Sequence, residues 1–345
     1  MASIKRLGFL LHSLELLNHF GSVLDLLPPG SFDLLAYGEE VSLDGLNAAS
    51  RWGCAVRSAQ DVIGAGDRYV WLVSNHPIVL GDQPLITQLA DNNARFMYAA
   101  GKSGWNLRSW NELYQLILCF GPYHAEAFAS VSQARIVQMG YPRFDRYFNE
   151  TPHREALCKR FRCDPDKKTV VWLPTWKALS SVGLFNKEVS SLGSDYNVVV
   201  KVHPLMATQE LDRVLALARY RFTAMITDAS DNLPLYQLAD YMLFDYGGPP
   251  MAATYVDKNM LLLNVPNAEQ DEFTGADSPD ILLRNHLISV NRGEDRIAGL
   301  LKDESVWAAQ AEPRRMLREK YFAPNYGNAS QIAATTLQSL LGGVA

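Results

Sequence analysis

Four cysteines are all that the 345 residues carry, and no two of them form a Cys-x-x-Cys pair. Cys54, Cys119, Cys158 and Cys163 therefore offer no redox motif, and no His/Cys cluster has zinc spacing. Reduced, buried thiols in a cytoplasmic protein are the expectation. Glycine-rich fingerprints are missing too. Gly64-Ala65-Gly66 lacks the third glycine of a dinucleotide loop. Gly101-Lys102-Ser103 resembles the end of a phosphate-binding loop, but Phe96 stands where the first glycine belongs. Without a Gly-x-Ser-x-Gly elbow the chain is not a serine hydrolase of that type. No apolar run reaches the length of a membrane-spanning helix. The run at 7–11 is broken by His12, Glu15, Asn18 and His19, so it reads as a first β-strand rather than a signal peptide. Nor is there an excess of positive charge: the net charge of −5 argues against a general nucleic-acid binder.

What is present is an ordinary globular composition, 48% hydrophobic and 20% charged, in a chain long enough for two domains. Strand-like apolar runs fall at 7–11, 32–36, 69–73, 95–98, 116–120 and 136–139. A second series falls at 169–173, 197–202, 224–227, 241–244 and 260–263. Helix-like stretches such as 123–131 and 208–218 lie between them. Alternating β and α elements predict parallel sheets covered by helices, hence an α/β chain of two doubly wound, Rossmann-like domains. The breaker 148–152 and the turn-rich 164–168, with a short basic helix at 153–163 between them, place the boundary near 146–168. The expected division is an N-terminal domain at 1–150, a second at 165–325 and a C-terminal helix within 326–345.

In such sheets ligands bind beyond the carboxyl ends of the strands. The most informative stretch is therefore 239–250, where Tyr241–Phe244 is an apolar strand that ends at Asp245, Tyr246, Gly247, Gly248 and two prolines. A glycine turn there holds a nucleotide phosphate or a sugar, or it is simply a turn. After 169–173, Pro174 is followed by Thr175, Trp176 and Lys177. A hydroxyl and an ammonium at that point suit a phosphate, or Thr175 caps a helix. In Lys201-Val202-His203-Pro204, alternation puts Lys201 and His203 on one face. His203 can donate to a diphosphate or act as an acid toward a leaving phosphate. In Gly140-Tyr141-Pro142-Arg143-Phe144-Asp145, Arg143 and Asp145 face a cleft or clasp one another. Asp164-Pro165-Asp166 reads as a solvated turn and not as a metal site.

Taken together, these motifs resemble the family of CDP-glycerol glycerophosphotransferases that build teichoic acids and related capsules. Gly140 to Asp145 is similar to its Gly-x-Pro-Arg-x-Asp, and Leu173-Pro174-Thr175-Trp176 to its Ala-Pro-Thr-Trp. Lys201 to Pro204 is similar to its basic-x-His-Pro, and Asp240 to Tyr246 to its Ala-Asp…Asp-Tyr-Ser-Ser. Tyr326-Gly327-Asn328-Ala329-Ser330 resembles its Asp-Gly-x-Ala-Ser. The resemblance implies a GT-B architecture with a cytidine-nucleotide-activated donor held by the C-terminal domain, and a glycan or lipid-linked acceptor. It implies His203 and Asp245 as catalytic residues. It implies Thr175, Lys177, Lys201, Tyr246, Gly247, Gly248 and Arg143 as binding residues for nucleotide and phosphate. No cofactor and no metal are implied, since side chains and helix N-termini neutralise the leaving group. Peripheral contact with the inner membrane surface follows if Lys159, Arg160, Arg162, Arg314, Arg315, Arg318 and Lys320 meet anionic lipid; otherwise they are solvated helix faces.

Two departures qualify the likeness. The family's Ser-Ser is Gly247-Gly248 here, leaving backbone amides to replace two hydroxyls. Its Trp-His-Gly, the source of the base, is absent, and 98–105 stands near its place. Glu39, Glu40, His76 and Lys102 are the candidate replacements. The expected function is transfer of glycerol phosphate to a cell-surface glycopolymer. Transfer of a sugar from a CMP-activated Kdo donor, and a non-catalytic binding module, are the alternatives.

Overall fold

The protein, represented by a computed structural model, is described over residues 3–342. The chain forms two compact units, Met1–Tyr98 with Leu107–Arg146 and Tyr321–Ala345, and Ala99–Asn106 with Tyr147–Lys320.

Unit 1 is built on seven parallel strands: β1 (Ser3–Leu11), β2 (Phe32–Ala36), β3 (Ala55–Ser58), β4 (Arg68–Ser74), β5 (Ala90–Phe96), β6 (Leu116–Cys119) and β7 (Arg135–Gln138), in the order β3-β2-β1-β4-β5-β6-β7. The inner strands are buried on both faces, as continuous apolar runs require. Helix α1 (Leu16–Leu24) buries Leu16, Phe20, Val23 and Leu24, the i, i+4, i+7, i+8 stripe of an amphipathic helix. Phe20 meets Phe9 of β1 and Phe96 of β5 edge-on, with ring centroids 5.4 and 4.9 Å apart.

Unit 2 holds six parallel strands: β8 (Thr169–Leu173), β9 (Asn197–Lys201), β10 (Ala224–Ile226), β11 (Tyr241–Phe244), β12 (Met260–Leu263) and β13 (Ser289–Val290), ordered β10-β9-β8-β11-β12-β13. Val198, Val200 and Val202 point into one core with Val170, Trp172, Leu243 and Leu261. That places Lys201 and His203 on the other side of the strand, as alternation predicts.

The expected strands are present. Two short edge strands, β3 and β13, carry too few apolar residues to stand out. β5 starts at Ala90 rather than 95, because its polar half is held by side chains: Gln115 Oε1 accepts from Asn93 N, and Asn92 donates to Val70 O.

Both sheets share one topological property. In unit 1 the chain winds outward from β1 to β3, then crosses back to β4 and winds the other way. In unit 2 it does the same from β8 to β10 and then from β11. The switch points are therefore β1/β4 and β8/β11, and a doubly wound sheet opens a crevice at the carboxyl ends of those strands.

The last segment closes on unit 1. Gly140 has φ +86°, and a Cβ there would stand 2.6 Å from Asn325 O, so only glycine admits the returning chain. Helix α4 (we number α2 as Leu211–Leu217 and α3 as Gly248–Tyr255) is Ala329–Gly342. The Asp145 carboxylate accepts from Ala329 N at 3.0 Å and Ser330 N at 2.6 Å, capping α4.

Candidate functional site

At the unit 2 switch point Leu173 pairs with Phe244, so Thr175 and Tyr246 leave the sheet side by side. Asp245 lies directly beneath them and is fully buried. Its Oδ1 accepts from Thr175 N and Tyr246 N, each at 2.8 Å, and its Oδ2 from Ser181 N and Ser181 Oγ, each at 2.7 Å. Burial raises its pKa, and these donors pull it back. Four donors and no facing acceptor describe an ionised carboxylate whose valences are spent. Asp245, expected to be catalytic, is instead engaged within the fold, where it fixes the course of residues 174–181.

Gly247 follows at φ +96°, which only glycine adopts without strain. Its amide does not point to open space but donates to Asp280 Oδ2 at 2.6 Å. Pro249 and Pro250, in the first turn of α3, have no N–H to give. Of the amide cradle expected from Gly247-Gly248, the Gly248 N–H at the N-terminus of α3 is what remains. A side chain on Gly248 would meet nothing within 4 Å. Thr175 Oγ1 lies alongside, 3.9 Å from where a Gly247 Cβ would stand, and makes no hydrogen bond among the described residues.

Beyond Thr175, the Trp176 ring stacks on His203 at 5.6 Å and 13°, with Lys177 Nζ 4.2 Å from its centroid. Lys177 takes a left-handed conformation, φ +56°. It is pinned by α2 and the residue before it: Lys177 N donates to Glu210 Oε2 at 3.0 Å, and Arg213 Nη1 donates to Lys177 O at 2.7 Å. His203 caps the helix Pro204–Gln209, its Nδ1 accepting from Leu205 N at 3.1 Å. With Nδ1 an acceptor, the neutral ring carries its proton on Nε2.

Three expected binding residues are engaged within the fold. Lys201 is buried, and its Nζ donates to Ser230 O and Asn232 Oδ1 (the latter at 2.7 Å), anchoring the loop after β10. Tyr246 is buried: its hydroxyl accepts from Val265 N, and its ring lies 3.7 Å beneath the Arg284 guanidinium. Arg143 belongs to unit 1, where its Nη1 donates to His19 Nε2 at 3.0 Å and Glu15 Oε1 at 3.4 Å. It does not clasp Asp145.

Sequence reasoning missed two residues that hold the turn. Arg284 donates to Asn264 Oδ1 and to the carbonyls of Asp280, Asp245 and Leu263. Asp280 takes the Gly247 amide. Both lie in a stretch with no motif. Segment Ala99–Asn106 joins them: a Cβ on Gly101 would be 2.8 Å from Gly247 O. Ser103 N donates to Ser278 Oγ at 2.9 Å, and Ser103 Oγ to Asp277 Oδ1 at 2.8 Å. Lys102 is near enough for its charge to favour the ionised form of Asp280, against the burial that raises the pKa of that carboxyl.

Among the described residues no three His, Cys, Asp or Glu side chains are grouped to hold a metal ion, and no helix is long and apolar enough to cross a membrane. Several of the basic residues expected to meet lipid already have partners within the chain. Arg314 pairs with Asp257, Arg315 with Glu312 and Glu319, and Arg318 donates to Tyr255 O.

The model of the CDP-Glycerol:Poly(glycerophosphate) glycerophosphotransferase family matches residues 102–249. That span contains Lys102, Thr175, His203 and the turn at Gly247-Gly248. No curated protein matches the sequence. Among solved structures, the wall teichoic acid polymerase TagF, as a variant soaked with CDPG, is similar with a TM-score of 0.73 at 15% identity, over 98% of this chain and 89% of that one. S. aureus MnaA in a UDP co-structure reaches 0.60 at 11% identity, over 99% and 97%. UDP-GlcNAc 2-epimerase from Neisseria meningitidis bound to UDP-GlcNAc reaches 0.60 at 12%, over 97% and 100%. At such identities the likeness establishes the fold, which is GT-B.

Proposed function

We infer that this transferase, whose residues 102–249 match a glycerophosphotransferase family, moves glycerol phosphate from a cytidine-diphosphate donor to a cell-surface glycopolymer or lipid-linked acceptor. Unit 2 takes the donor and unit 1 the acceptor. The observation that carries the reading is the grouping, inside the matched segment and at a topological switch point, of a hydroxyl with no hydrogen bond among the described residues (Thr175), a helix N-terminus (Gly248) and an imidazole that carries its proton on Nε2 (His203). These are donors, and donors are what a departing phosphate requires. In the reaction the acceptor oxygen bonds to phosphorus, the anhydride bond breaks, and CMP leaves with the bonding pair. His203 Nε2–H and the α3 N-terminus offset the charge that develops on it.

The same turn favours a second reading. With Gly247 N held by Asp280, and two prolines behind it, the site offers few amides for a diphosphate. A CMP-activated sugar such as Kdo, bearing one phosphate, needs fewer. Calorimetric titration with CDP-glycerol, CDP, CMP and UDP, with and without magnesium, separates the two. CDP-glycerol binding with label transfer to a glycerol-phosphate-primed acceptor supports the first. Selective binding of CMP supports the second. Binding of UDP alone overturns the cytidine assignment.

A further inference from the structure

The family's Trp-His-Gly is absent, so the base that takes the acceptor's proton must come from elsewhere in this chain. Unit 1 has its own switch point, at β1/β4. Phe9 of β1 pairs with Val73 of β4. Three residues further on, just past the carboxyl ends of both strands, the same register brings His12 opposite His76. The two imidazoles touch edge to face, ring centroids 4.6 Å apart at 75°. Both residues are half-buried, but His76 Nδ1 is itself shut off from solvent.

Their surroundings differ. His76 is near enough to feel the charge of Arg95, a residue that is 1% exposed, donates to Asn75 O and Asn111 Oδ1, and is covered by the Trp110 and Phe128 rings. Burial, His12 and Arg95 together push the His76 pKa down to about 3. A ring so depressed is a poor proton acceptor at neutral pH. His12 is lowered only by burial. It makes no hydrogen bond among the described residues, so both its nitrogens are available. A neutral, unengaged imidazole at a switch point, held by a second ring that cannot compete for the proton, has the attributes of a general base. Glu39 and Glu40, the alternatives, follow β2 rather than either strand of the switch point and are exposed. Lys102 lies in unit 2.

We propose that His12 is the catalytic residue that accepts the proton of the acceptor hydroxyl. As the acceptor oxygen bonds to phosphorus and CMP departs, that proton passes to a ring nitrogen of His12. The proposal rests on the transferase reading above, and the experiment keeps the two apart. The wild-type chain, His12→Gln, His12→Asn and, for chemical rescue, His12→Ala are compared for CDP-glycerol affinity by calorimetry and for CMP release in the presence of a glycerol-phosphate-primed acceptor. The variants are expected to lose 10²-fold or more in kcat while the CDP-glycerol Kd stays within about twofold. Imidazole in the buffer is expected to restore His12→Ala at least tenfold, a rescue that a purely structural role would not give. Turnover within threefold of wild type in a folded variant, or a loss shared equally by kcat and donor affinity with no rescue, overturns the assignment of His12. A wild-type protein that neither binds a cytidine nucleotide nor transfers overturns the transferase reading and this inference with it.

Discussion

The two units solve one geometric problem with opposite materials. Each opens a crevice where its sheet reverses winding, at β1/β4 in unit 1 and β8/β11 in unit 2. Unit 1 fills the ends of its strands with side chains that carry protons, His12, His76 and Arg95, and a second group joins Glu15 and His19, at the start of and on α1, to Arg143 after β7. Unit 2 fills its strand ends with backbone. Its carboxylates, Asp245 and Asp280, are buried and hold amides, and beside them stand the Thr175 hydroxyl, the Gly248 N–H and the helix-capping His203. The contrast suits a division of labour in which one unit moves a proton and the other stabilises a phosphate.

The largest effect expected tests whether unit 2 is built on Asp245. Asp245→Ala strands three buried amides, those of Thr175, Ser181 and Tyr246, each costing about 1–3 kcal/mol when left unsatisfied. The full chain should lose about 3–5 kcal/mol in urea denaturation, in line with removal of one member of a buried polar network. A loss below about 1 kcal/mol would show that the network relaxes and that the carboxylate is dispensable to the fold, reopening its case as a catalyst.

Next comes the imidazole. His203→Ala should lower turnover about 10²-fold, the usual yield of an acid or charge stabiliser. The lost N-cap should cost only about 1 kcal/mol of stability. Unchanged turnover in a folded variant would remove His203 from the chemistry.

Unit 1 predicts a distinct acid sensitivity. His76 titrates near 6.5 when unfolded and about 3 when folded. Between those values the unfolded chain binds the extra proton. The contribution is therefore fully present above pH 6.5 and is lost as pH falls toward 3, by up to about 1.4 kcal/mol per pH unit. His76→Asn should flatten the stability–pH curve over pH 6.5 to 4. A slope the same as that of wild type would place the histidine in a more solvated setting than its packing suggests.

Much of this was readable in the sequence, and the reasons for the rest are specific. Val170 to Leu173, Val198 to Val200 and Tyr241 to Phe244 are continuous apolar runs, so the central strands and the residues at their carboxyl ends follow from pattern alone. Position was legible; direction was not. Whether Asp245 faces a ligand or a loop depends on Ser181, 64 residues away, and whether the Gly247 amide is free depends on Asp280, 33 residues away. No local pattern records such pairings. Lys201 stands at its strand end as expected, but the acceptors that claim it come from the loop at 230–232. His12 read only as a break in an apolar run, because its meaning lies in the β1/β4 register.

The smallest effect is the most diagnostic. Thr175→Val keeps the shape of the side chain and removes only the hydroxyl. In unit 2 nearly every polar group near the turn is engaged, so most substitutions there damage the fold and the site together. Thr175 Oγ1 is the exception, since the bond that ties this residue to Asp245 runs through its backbone N–H. The variant should therefore leave stability within about 0.5 kcal/mol of wild type, as expected where no hydrogen bond is lost. It should weaken the donor about fivefold, the worth of one hydrogen bond of about 1 kcal/mol to a ligand. Ser181→Ala is the control, because its hydroxyl is bonded to Asp245 and Trp172 and its loss should appear in stability. If Thr175→Val costs stability but not affinity, the hydroxyl faces the protein and the phosphate contact belongs to Gly248. If it costs affinity alone, the hydroxyl faces the ligand, and unit 2 binds its donor with a group that the fold does not need.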